Sequence, residues 1–410
     1  MDIKITPKKL HGEVIVPPSK SVAHRMIIAA ALANGKSTIT NLCPSEDILA
    51  TMDCMRALGA KISFDGGTAV IEGILNTPDK AVLDCRESGS TLRFLIPIAC
   101  ALNVQAEFLG RAKLPKRPIT PFTDEFPKHG ITFDFSKAES CCTLPCSVSG
   151  KLTSGRFEIK GDISSQFITG LMFALPLLDG DSEIILTSPL QSKPYVDITI
   201  SVLRDFGCVV LKSKSGYLIK GKQQLSPFSG AVEGDFSQSA FFYTANVLGS
   251  DLKISGLNDN SSQGDKKIVE ICENYVKSNK KPFEIDCSDI PDLVPILSVL
   301  ACFGKGISRL TNVARLRFKE CDRLSVTAEC LNAIGGNVTV NEDSLEIVGV
   351  NSLKGGEINS HNDHRIPMAM AIAATRCENL LIIRGAECVR KSFPNFFDVY
   401  RSLGGEVEKI

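Results

Sequence analysis

The hydrophobic positions of the chain alternate between short strand-like runs and longer helix-like runs, and polar or glycine-containing turns separate them. The first strand-like run covers residues 13–16 and stops at Pro17-Pro18. Small hydroxylated residues follow, and an apolar helical pattern then occupies residues 26–32. Proline and serine at such a junction are typical of a helix start. The pattern therefore predicts a strand, a turn and a helix in succession.

The same junction occurs five more times at intervals of about 55 to 75 residues, which is typical of a repeated supersecondary unit. A glycine also recurs after a later helix of the unit, and we interpret it as a helix C-cap. The five further turns are Glu87-Ser88-Gly89-Ser90-Thr91, Gly161-Asp162-Ile163-Ser164-Ser165-Gln166, Glu233-Gly234-Asp235-Phe236-Ser237-Gln238, Ser288-Asp289-Ile290-Pro291-Asp292 and His361-Asn362-Asp363-His364-Arg365, and the glycines are Gly59, Gly207, Gly335 and Gly404.

Strands that alternate with helices predict a mixed α/β (α+β) fold. The chain has 410 residues, more than one hydrophobic core usually accommodates, so we expect two domains. Residues 19–231 hold three repeated units and form one predicted lobe. Residues 1–18, returning to pack with 232–410, form the other. Three similar units per lobe predict pseudo-threefold symmetry, with the helix starts of both lobes turned towards a common cleft.

Charge and apolar runs exclude several classes of protein. Lysine and arginine together number 46, and so do aspartate and glutamate, so no broad basic surface for nucleic acid is expected. No run of 18 apolar residues is present, so no membrane span is expected. The first residues do not resemble a signal peptide, which favours a cytoplasmic location.

The 15 cysteines are scattered, mostly within apolar patterns, as buried reduced thiols of a cytosolic protein would be. Their one cluster is Cys141-Cys142-Thr143-Leu144-Pro145-Cys146. It has neither a second cysteine pair nor a nearby histidine pair, so we predict no zinc site and no other bound metal.

The first junction has the features of half an anion site. The first turn of a helix has free N–H groups and a partial positive charge, and Lys20 and Arg25 add full charges. The alternative is an ordinary capped helix with two solvated cations. The repetition of the junction favours the anion site.

Residues 315–323 hold four cations and two carboxylates, the highest charge density in the chain. One interpretation is a solvated helix start with ion pairs. The other is a buried turn whose cations need anionic partners, and the apolar residues on both sides favour it. Further cations at similar turns are Arg117, Arg365 and Lys391.

Two groups in these turns are candidates for proton transfer. Asp292 follows a proline at a helix start, where it either caps the helix or acts as a general base. With Glu320 it would form a carboxyl pair whose pKa values the environment separates. His364 is either a titrating group or a structural hydrogen-bonding group, and we favour the second.

Ten motifs occur in the order found in the 5-enolpyruvylshikimate-3-phosphate (EPSP) synthase family, which the chain resembles over nearly its whole length. They are Ser19-Lys20-Ser21 with Arg25, Ser88-Gly89-Ser90-Thr91 with Arg93, Lys116-Arg117-Pro118, Gly161-Asp162-Ile163-Ser164-Ser165-Gln166-Phe167, Ser192-Lys193-Pro194-Tyr195, Glu233-Gly234-Asp235, Ile290-Pro291-Asp292, Lys319-Glu320-Cys321-Asp322-Arg323, Asn362-Asp363-His364-Arg365 and Lys391-Ser392-Phe393-Pro394.

The resemblance implies a two-lobed inside-out α/β barrel with three βαβαββ repeats in each lobe, closing on substrate. It implies transfer of the enolpyruvyl group of phosphoenolpyruvate to the 5-hydroxyl of shikimate 3-phosphate, with release of phosphate. This is the sixth step of the shikimate pathway to chorismate and the aromatic amino acids, and the target of glyphosate. No cofactor is implied, and a monomer is expected.

The resemblance also assigns roles to individual residues. Asp292 would take the proton of the attacking hydroxyl, and Glu320 or Lys20 would protonate the methylene carbon. Shikimate 3-phosphate would be held by Lys20, Ser21, Arg25, Ser164, Ser165, Gln166, Ser192, Tyr195, Asp292, Arg315 and Lys319, and phosphoenolpyruvate by Lys20, Gly89, Arg117, Gln166, Arg323, Arg365 and Lys391.

Four positions depart from the family's common pattern. Glu87 replaces an asparagine, Ser90 a threonine, and Phe94 a proline or leucine, around the loop that meets phosphoenolpyruvate and glyphosate. Arg315 replaces an asparagine that touches the substrate phosphate. These substitutions leave glyphosate sensitivity and the role of Arg315 open.

Three other functions remain as alternatives. The sister enzyme that acts on UDP-N-acetylglucosamine carries a reactive cysteine in the loop corresponding to residues 110–115, which has none here. A non-catalytic anion-binding protein on the same scaffold would not need both Asp292 and Glu320. Relatives that process RNA ends would be expected to have a more basic surface.

Overall fold

The computed structural model describes all residues from 1 to 410 and separates into two compact units. The terminal unit consists of Met1–Pro17 and Gly234–Ile410, and the inserted unit consists of Pro18–Glu233. Neither unit contains a helix with the length and apolar character needed to span a membrane.

The strands, in chain order, are β1 (Ile3–Thr6), β2 (His11–Ile15), β3 (Lys36–Thr40), β4 (Lys61–Asp65), β5 (Thr68–Glu72), β6 (Lys80–Asp84), β7 (Gln105–Leu109), β8 (Thr132–Asp134), β9 (Cys146–Ser149), β10 (Arg156–Ile159), β11 (Ser182–Leu186), β12 (Val210–Lys212), β13 (Gly216–Ile219), β14 (Ser229–Ala231), β15 (Asp251–Ser255), β16 (Glu284–Asp286), β17 (Ile307–Thr311), β18 (Asn337–Val340), β19 (Ser344–Val348), β20 (Gly356–Asn359), β21 (Leu381–Arg384) and β22 (Glu406–Lys409).

The α-helices are α1 (Lys20–Leu32), α2 (Glu46–Ala57), α3 (Gly89–Ala101), α4 (Thr120–Glu125), α5 (Ser165–Ala174), α6 (Lys193–Asp205), α7 (Phe236–Val247), α8 (Lys267–Lys277), α9 (Val294–Ala301), α10 (Arg323–Ala333), α11 (Arg365–Ala374) and α12 (Phe396–Ser402). Short 3₁₀ turns lie at Leu114–Lys116, Pro291–Leu293, Ala314–Phe318 and Ala386–Lys391, among others.

The inserted unit contains three four-stranded sheets of the same topology. Their orders are β14-β3-β5-β4, β6-β7-β9-β8 and β10-β11-β13-β12, each with one parallel pair followed by two antiparallel pairs. Each copy therefore runs as strand, helix, strand, helix and hairpin, and β14 from the end of the unit completes the first copy.

Helices α1, α3 and α5 are buried along most of their length, because their apolar residues lie on nearly every face. Helix α3 packs closely against α5 at Gly170, where an added Cβ would overlap the carbonyl oxygen of Arg93. Glycine is needed for this approach because any side chain would separate the two backbones. The contact places the start of α5 beside the start of α3.

The terminal unit repeats the same plan with one shortened copy. Its four-stranded sheets are β16-β17-β19-β18 and β20-β21-β1-β22, and in the second sheet the N-terminal strand β1 lies between β21 and β22. The shortened copy keeps only the parallel pair of β2 and β15 and continues through α8 to β16. The central helices of the terminal unit, α7, α9 and α11, pack on one another.

Most of the predicted helix starts and ends are confirmed. The side chains of Ser19, Ser88, Ser164 and Asp235 each accept a hydrogen bond from a backbone N–H in the first turn of their helix. The fifth predicted turn forms the 3₁₀ turn before α9, and the sixth leads into α11 without a side-chain cap. The predicted C-cap glycines follow α2, α6, α10 and α12 with φ of 111°, 79°, 94° and 85°.

Candidate active site

Lys20 lies in the first turn of α1, which Ser19 caps by accepting a hydrogen bond from the N–H of Val22 at 3.5 Å. The Lys20 ammonium forms an ion pair of 2.8 Å with Asp47, and the two side chains are 19% and 14% exposed. Lys20 is thus a positioned cation at a helix end that is itself partly positive.

Arg25 is buried one turn further along α1. Its Nε donates to the hydroxyl of Thr199 at 2.8 Å, Nη1 to the carbonyl of Ser21 at 2.7 Å and Nη2 to the carbonyl of Tyr195 at 3.0 Å. Burial lowers the pKa of Arg25 to about 9, so the guanidinium stays charged at neutral pH. Arg25 therefore holds the predicted ligand residues Ser21 and Tyr195 near each other.

Arg117 lies over the start of α3. A Cβ atom added to Gly89 would lie 2.9 Å from Arg117 Nη1 and 3.0 Å from its Cζ, and Arg117 is only 8% exposed. Glycine at position 89 therefore leaves the space that this guanidinium fills. The arrangement combines a fork-shaped cation with the partly positive end of a helix.

Gln166 lies in the first turn of α5 and is held from both ends of its amide. Its Oε1 accepts a hydrogen bond from Arg93 Nη1 at 2.7 Å, and its Nε2 donates to the hydroxyl of Ser90 at 3.0 Å. Arg93 Nη2 and Nε also donate to the carbonyl of Pro118 at 3.0 Å and 3.3 Å. Arg93 thus links Gln166 to the residue that follows Arg117.

Hydroxyl groups lie at the starts of α5 and α6. The Ser164 hydroxyl caps α5 by accepting a hydrogen bond from the N–H of Gln166 at 3.3 Å, and Ser165 is buried beside it. Ser192 precedes α6 with a φ of 55°, and its carbonyl accepts a hydrogen bond from the N–H of Tyr195 at 3.0 Å. A left-handed serine costs about 1 to 3 kcal/mol and is more frequent at functional sites than elsewhere.

In the terminal unit, Arg323 is the centre of a buried ion network. Its side chain, 2% exposed, pairs with Asp363 at 2.8 Å, Asp292 at 3.0 Å and Glu320 at 2.6 Å. Burial alone would lower the pKa of Arg323, but the three carboxylates outweigh it and raise the pKa well above its usual value. Because Asp363 has no exposed side-chain surface, this pair is shielded from water and salt.

Asp292 lies on the 3₁₀ turn before α9, with each carboxylate oxygen on a different arginine. Oδ1 accepts from Arg323 at 3.0 Å and Oδ2 from Arg365 at 2.8 Å, while the Lys319 ammonium is 4.0 Å away. Burial acts to raise the pKa of Asp292, but Arg365, Lys319 and Arg323 together lower it below its ordinary value. Asp292 is therefore an ionised carboxylate in a strongly cationic environment.

The remaining predicted cations of the terminal unit border this network. Arg365 is the first residue of α11, and its N–H donates to Asp363 at 3.0 Å. Lys391, at the end of its 3₁₀ turn, donates to the carbonyl of Asn362 at 2.7 Å. Arg315 donates to the carbonyl of Ser288 in the turn that precedes Asp292.

A family model for EPSP synthase (3-phosphoshikimate 1-carboxyvinyltransferase) matches residues 5–400 of this sequence. The chain belongs to the EPSP synthase family. The family, the mixed α/β fold class and the transferase class predicted from the sequence are therefore confirmed.

Named relatives and solved structures agree with this membership. The 3-phosphoshikimate 1-carboxyvinyltransferase of Clostridium perfringens (strain 13 / Type A) is 44% identical over an alignment of 419 positions, gaps included, that covers 98% of each chain. The enzyme of the same name in Clostridioides difficile (strain 630) is 42% identical over 433 residues, covering 99% of this chain and 98% of the relative. A structure of EPSP synthase from Acinetobacter baumannii covers 100% of both chains with a TM-score of 0.82 and 27% identity.

The fold extends to a more distant enolpyruvyl transferase. The structure of NikO from Streptomyces tendae has a TM-score of 0.77 and 16% identity, covering 99% of this chain and 98% of NikO. At this level of identity the likeness concerns the fold.

Each unit of this EPSP synthase family member brings some predicted site residues together. In the inserted unit, Arg25 links Ser21 and Tyr195, Arg117 lies on Gly89, and Gln166 adjoins the serines of α5. In the terminal unit, the connected predicted residues are Asp292, Lys319, Glu320, Arg323 and Arg365.

Sequence reasoning gave no role to three residues that orient this machinery, namely Asp47, Arg93 and Asp363. Arg93 and Asp363 belong to the recognised motifs, but a motif does not indicate which side chains its residues contact in the folded protein. Asp47 lies in the first turn of α2 and carried no signal, because its pairing with Lys20 depends on how α1 and α2 pack.

Proposed function

We propose that this chain transfers the enolpyruvyl group of phosphoenolpyruvate to the 5-hydroxyl of shikimate 3-phosphate and releases phosphate. The observation that carries the assignment of roles is the network around Asp292. The Asp292 carboxylate, which is able to accept a proton, forms ion pairs there with two arginines and lies near a lysine. One of these arginines, Arg323, also pairs with a second carboxylate, that of Glu320. Membership of the EPSP synthase family supports the substrates.

Shikimate 3-phosphate would be bound by hydroxyl groups and cations that the fold already positions. Arg25, charged and buried, would attract the phosphate together with Lys319 and Lys20. Ser21, Ser164, Ser165, Ser192 and Arg315 would donate hydrogen bonds to its oxygen atoms, Tyr195 would line the ring, and Gln166 would touch both substrates.

Phosphoenolpyruvate carries a carboxylate and a phosphate, both suited to the planar fork of arginine. Arg117, Arg323 and Arg365 would bind these groups. Lys391 and Lys20 would add compact charges. Gly89, which has no side chain, would leave room for the substrate to approach the backbone N–H groups at the start of α3.

The reaction would proceed by addition and then elimination, with a proton transfer in each stage. Asp292 would take the proton of the 5-hydroxyl as its oxygen attacks C2 of phosphoenolpyruvate, and Glu320 or Lys20 would give a proton to the methylene carbon. Both substrates are then joined in a tetrahedral ketal. Loss of a proton from the new methyl group and departure of phosphate restore the double bond.

The ion pairs of Asp292 fit this role. Its pKa is low while Arg323 and Arg365 face it. An anionic substrate bound to the same arginines would offset their charge and make Asp292 a stronger base. Proton removal would therefore be linked to the presence of phosphoenolpyruvate.

A phosphate-release assay on the purified chain tests the proposal. Phosphate should appear when phosphoenolpyruvate is supplied with shikimate 3-phosphate, and not when it is supplied with UDP-N-acetylglucosamine. Release with the second acceptor would assign the chain to the sister activity, and binding of phosphoenolpyruvate without release in either mixture would make it an anion-binding protein.

Two variants test the roles of single residues. Asp292→Asn and Lys20→Met should each lower kcat by at least a hundredfold, since each removes a group that exchanges a proton or holds both substrates. Their matched controls are Asp398→Asn and Lys277→Met, which change surface ion pairs on α12 and α8. Turnover near that of the unmodified enzyme in either site variant would refute its assigned role.

We further propose that the enzyme acts as a monomer in the cytoplasm. All 15 cysteines are free thiols, as is typical of a reducing compartment. Light scattering during size-exclusion chromatography should give a mass near 44.3 kDa.

A further inference from the structure

Cys141 and Cys142 form a pair of adjacent thiols at the surface of the inserted unit. Their sulfur atoms are 3.4 Å apart. Of the 15 free cysteines, Cys141 is exposed, Cys43 and Cys142 are partly exposed, and the others are buried. The surface therefore presents two thiols side by side at this place alone.

The backbone holds the two sulfur atoms together. Cys142 has a φ of 61°, a left-handed conformation that costs a residue with a side chain about 1 to 3 kcal/mol. The pair lies in the turn between β8 and β9, and neither residue belongs to a strand. Because side chains along a strand alternate between opposite faces, extended backbone would have pointed the two sulfurs apart.

The chemistry of the pair favours a soft centre that takes two sulfurs at once. The hydrogen bond that Cys141 shares with the Cys142 thiol raises the pKa of Cys141, which disfavours its thiolate, the form that reacts with peroxide. No further histidine, cysteine or acidic side chain is arranged to complete a metal site, which disfavours four-coordinate zinc. Two soft sulfur donors suit a thiophilic element that brings its own third ligand.

We propose that Cys141 and Cys142 are a binding and modification site for trivalent arsenicals. An arsenical of the form R–As=O reacts with the two thiols to give a nine-membered ring that contains arsenic, both sulfur atoms and the six atoms that join them in the protein. Two arsenic–sulfur bonds form, the arsenic–oxygen bond breaks, and both thiol protons leave with the oxygen as one molecule of water. Arsenic stays trivalent, so the reaction needs neither an oxidant nor a reductant.

The site contacts the segment that carries Arg117. The Cys142 sulfur lies 3.6 Å from the hydroxyl of Thr123 on α4, which begins shortly after Arg117. Two residues further along, the N–H of Leu144 donates to the carbonyl of Pro115 at 3.2 Å. An adduct that draws Cys142 away from Thr123 should therefore displace the segment that positions Arg117. This consequence for activity rests on the proposed role of Arg117.

The experiment uses the reduced full-length chain and phenylarsine oxide. Intact-mass measurement should find one adduct per chain that survives washing with glutathione and is removed by 1,2-ethanedithiol. Trypsin should place the adduct on the peptide 138–151, which requires no variant. Cys141→Ser and Cys142→Ser should each abolish the glutathione-resistant adduct, whereas the control Cys43→Ser should keep it.

A chain without a glutathione-resistant adduct, or an adduct on another peptide, would overturn the proposal, as would an adduct that persists in Cys141→Ser or Cys142→Ser. In the loaded enzyme, we expect KM for phosphoenolpyruvate to rise at least fivefold and KM for shikimate 3-phosphate to rise less. Unchanged KM values at full loading would refute the connection to Arg117. Absence of phosphate release before loading would instead refute the proposed function, because the mass measurement does not depend on activity.

Discussion

The carboxylate of Asp363 accepts two hydrogen bonds from the guanidinium of Arg323, at 2.8 Å from Nε and 3.3 Å from Nη2. It also accepts from the N–H of Arg365 at 3.0 Å. One buried carboxylate thus orients two arginines that we assign to phosphoenolpyruvate. Under this assignment Asp363 would act on the substrate through them, as a positioning residue.

Asp363→Asn should therefore weaken the binding of phosphoenolpyruvate. The amide keeps the shape of the side chain but removes a buried charge opposite Arg323, a change worth about 1 to 3 kcal/mol. We expect KM for phosphoenolpyruvate to rise about tenfold or more, with a smaller change for shikimate 3-phosphate. Steady-state kinetics measures the two KM values, and thermal unfolding measures the stability of the variant.

The exposed Asp251 provides the control, since Asp251→Asn changes an acidic residue of the same unit outside the network. Equal increases of both KM values in Asp363→Asn would indicate a general loss of structure and would contradict the positioning role.

Arg93→Lys should lower kcat and raise both KM values. The lysine keeps the charge, but one ammonium group cannot replace the hydrogen bonds from Arg93 to Gln166 and to Pro118, nor the stacking of the guanidinium over Phe167 at 5.0 Å. We expect kcat/KM to fall about tenfold. Arg56→Lys, which alters an exposed ion pair on α2, is the matched control.

Combining Arg93→Lys with Gln166→Ala separates positioning from packing. If Arg93 acts through Gln166, the double variant should lose little more activity than Gln166→Ala alone. Fully additive losses would show that Arg93 acts elsewhere.

Binding of shikimate 3-phosphate should weaken as the pH rises through 8. Burial lowers the pKa of Lys319 to about 8, opposed by Asp292 and reinforced by Arg323. The ammonium is present below this pH and lost above it, so about a tenth remains at pH 9, one unit above the pKa. KM for shikimate 3-phosphate should rise about tenfold between pH 7 and pH 9.

Lys319→Arg tests the origin of this pH dependence. Arginine stays protonated over the whole range, so the rise in KM should be absent or much smaller in the variant. An identical pH profile in both proteins would assign the titration to another group.

Gly89→Ala should impair binding of phosphoenolpyruvate without destabilising the fold. Gly89 is the first residue of α3 and has an ordinary φ, so alanine can adopt the same backbone conformation. In a helix interior, replacing glycine by alanine stabilises the helix by about 0.5 to 1 kcal/mol, and we expect at most this gain at the first position. The new Cβ would displace Arg117, which lies 2.9 Å from its position. We expect KM for phosphoenolpyruvate to rise several-fold while the melting temperature stays the same or increases. An unchanged KM would mean that Arg117 does not bind this substrate from its present position.

The repeated architecture was largely predictable because its signals are local. Ser19, Ser88, Ser164 and Asp235 each cap a helix through a bond within the first turn, and the C-cap glycines have the positive φ that glycine adopts at low cost. The shortened copy was not foreseen. This copy has no hairpin between α8 and β16, and its sheet consists only of β2 and β15.

The candidate site was predictable as a set of residues but not as a set of contacts. Lys319, Glu320 and Arg323 are at most four positions apart, so the short turn before α10 is enough to bring them together. The pairing of Arg323 with Asp292 and Asp363 joins residues 31 and 40 positions apart, so it depends on how α9, α10 and α11 pack. The pKa shifts of Asp292 and Lys319 depend on the same packing and could not be obtained from the motifs.

Strand β1 lies between β21 and β22, so a segment that is synthesised early is paired with two segments that are synthesised much later. At about 5 to 20 residues per second, the ribosome needs tens of seconds to reach β21 after finishing β1. Until then β1 remains without its partner strands, whereas the inserted unit has all of its own sequence as soon as Glu233 is made. We therefore expect the inserted unit to fold first during synthesis, and the terminal unit to be completed only after β22 leaves the exit tunnel.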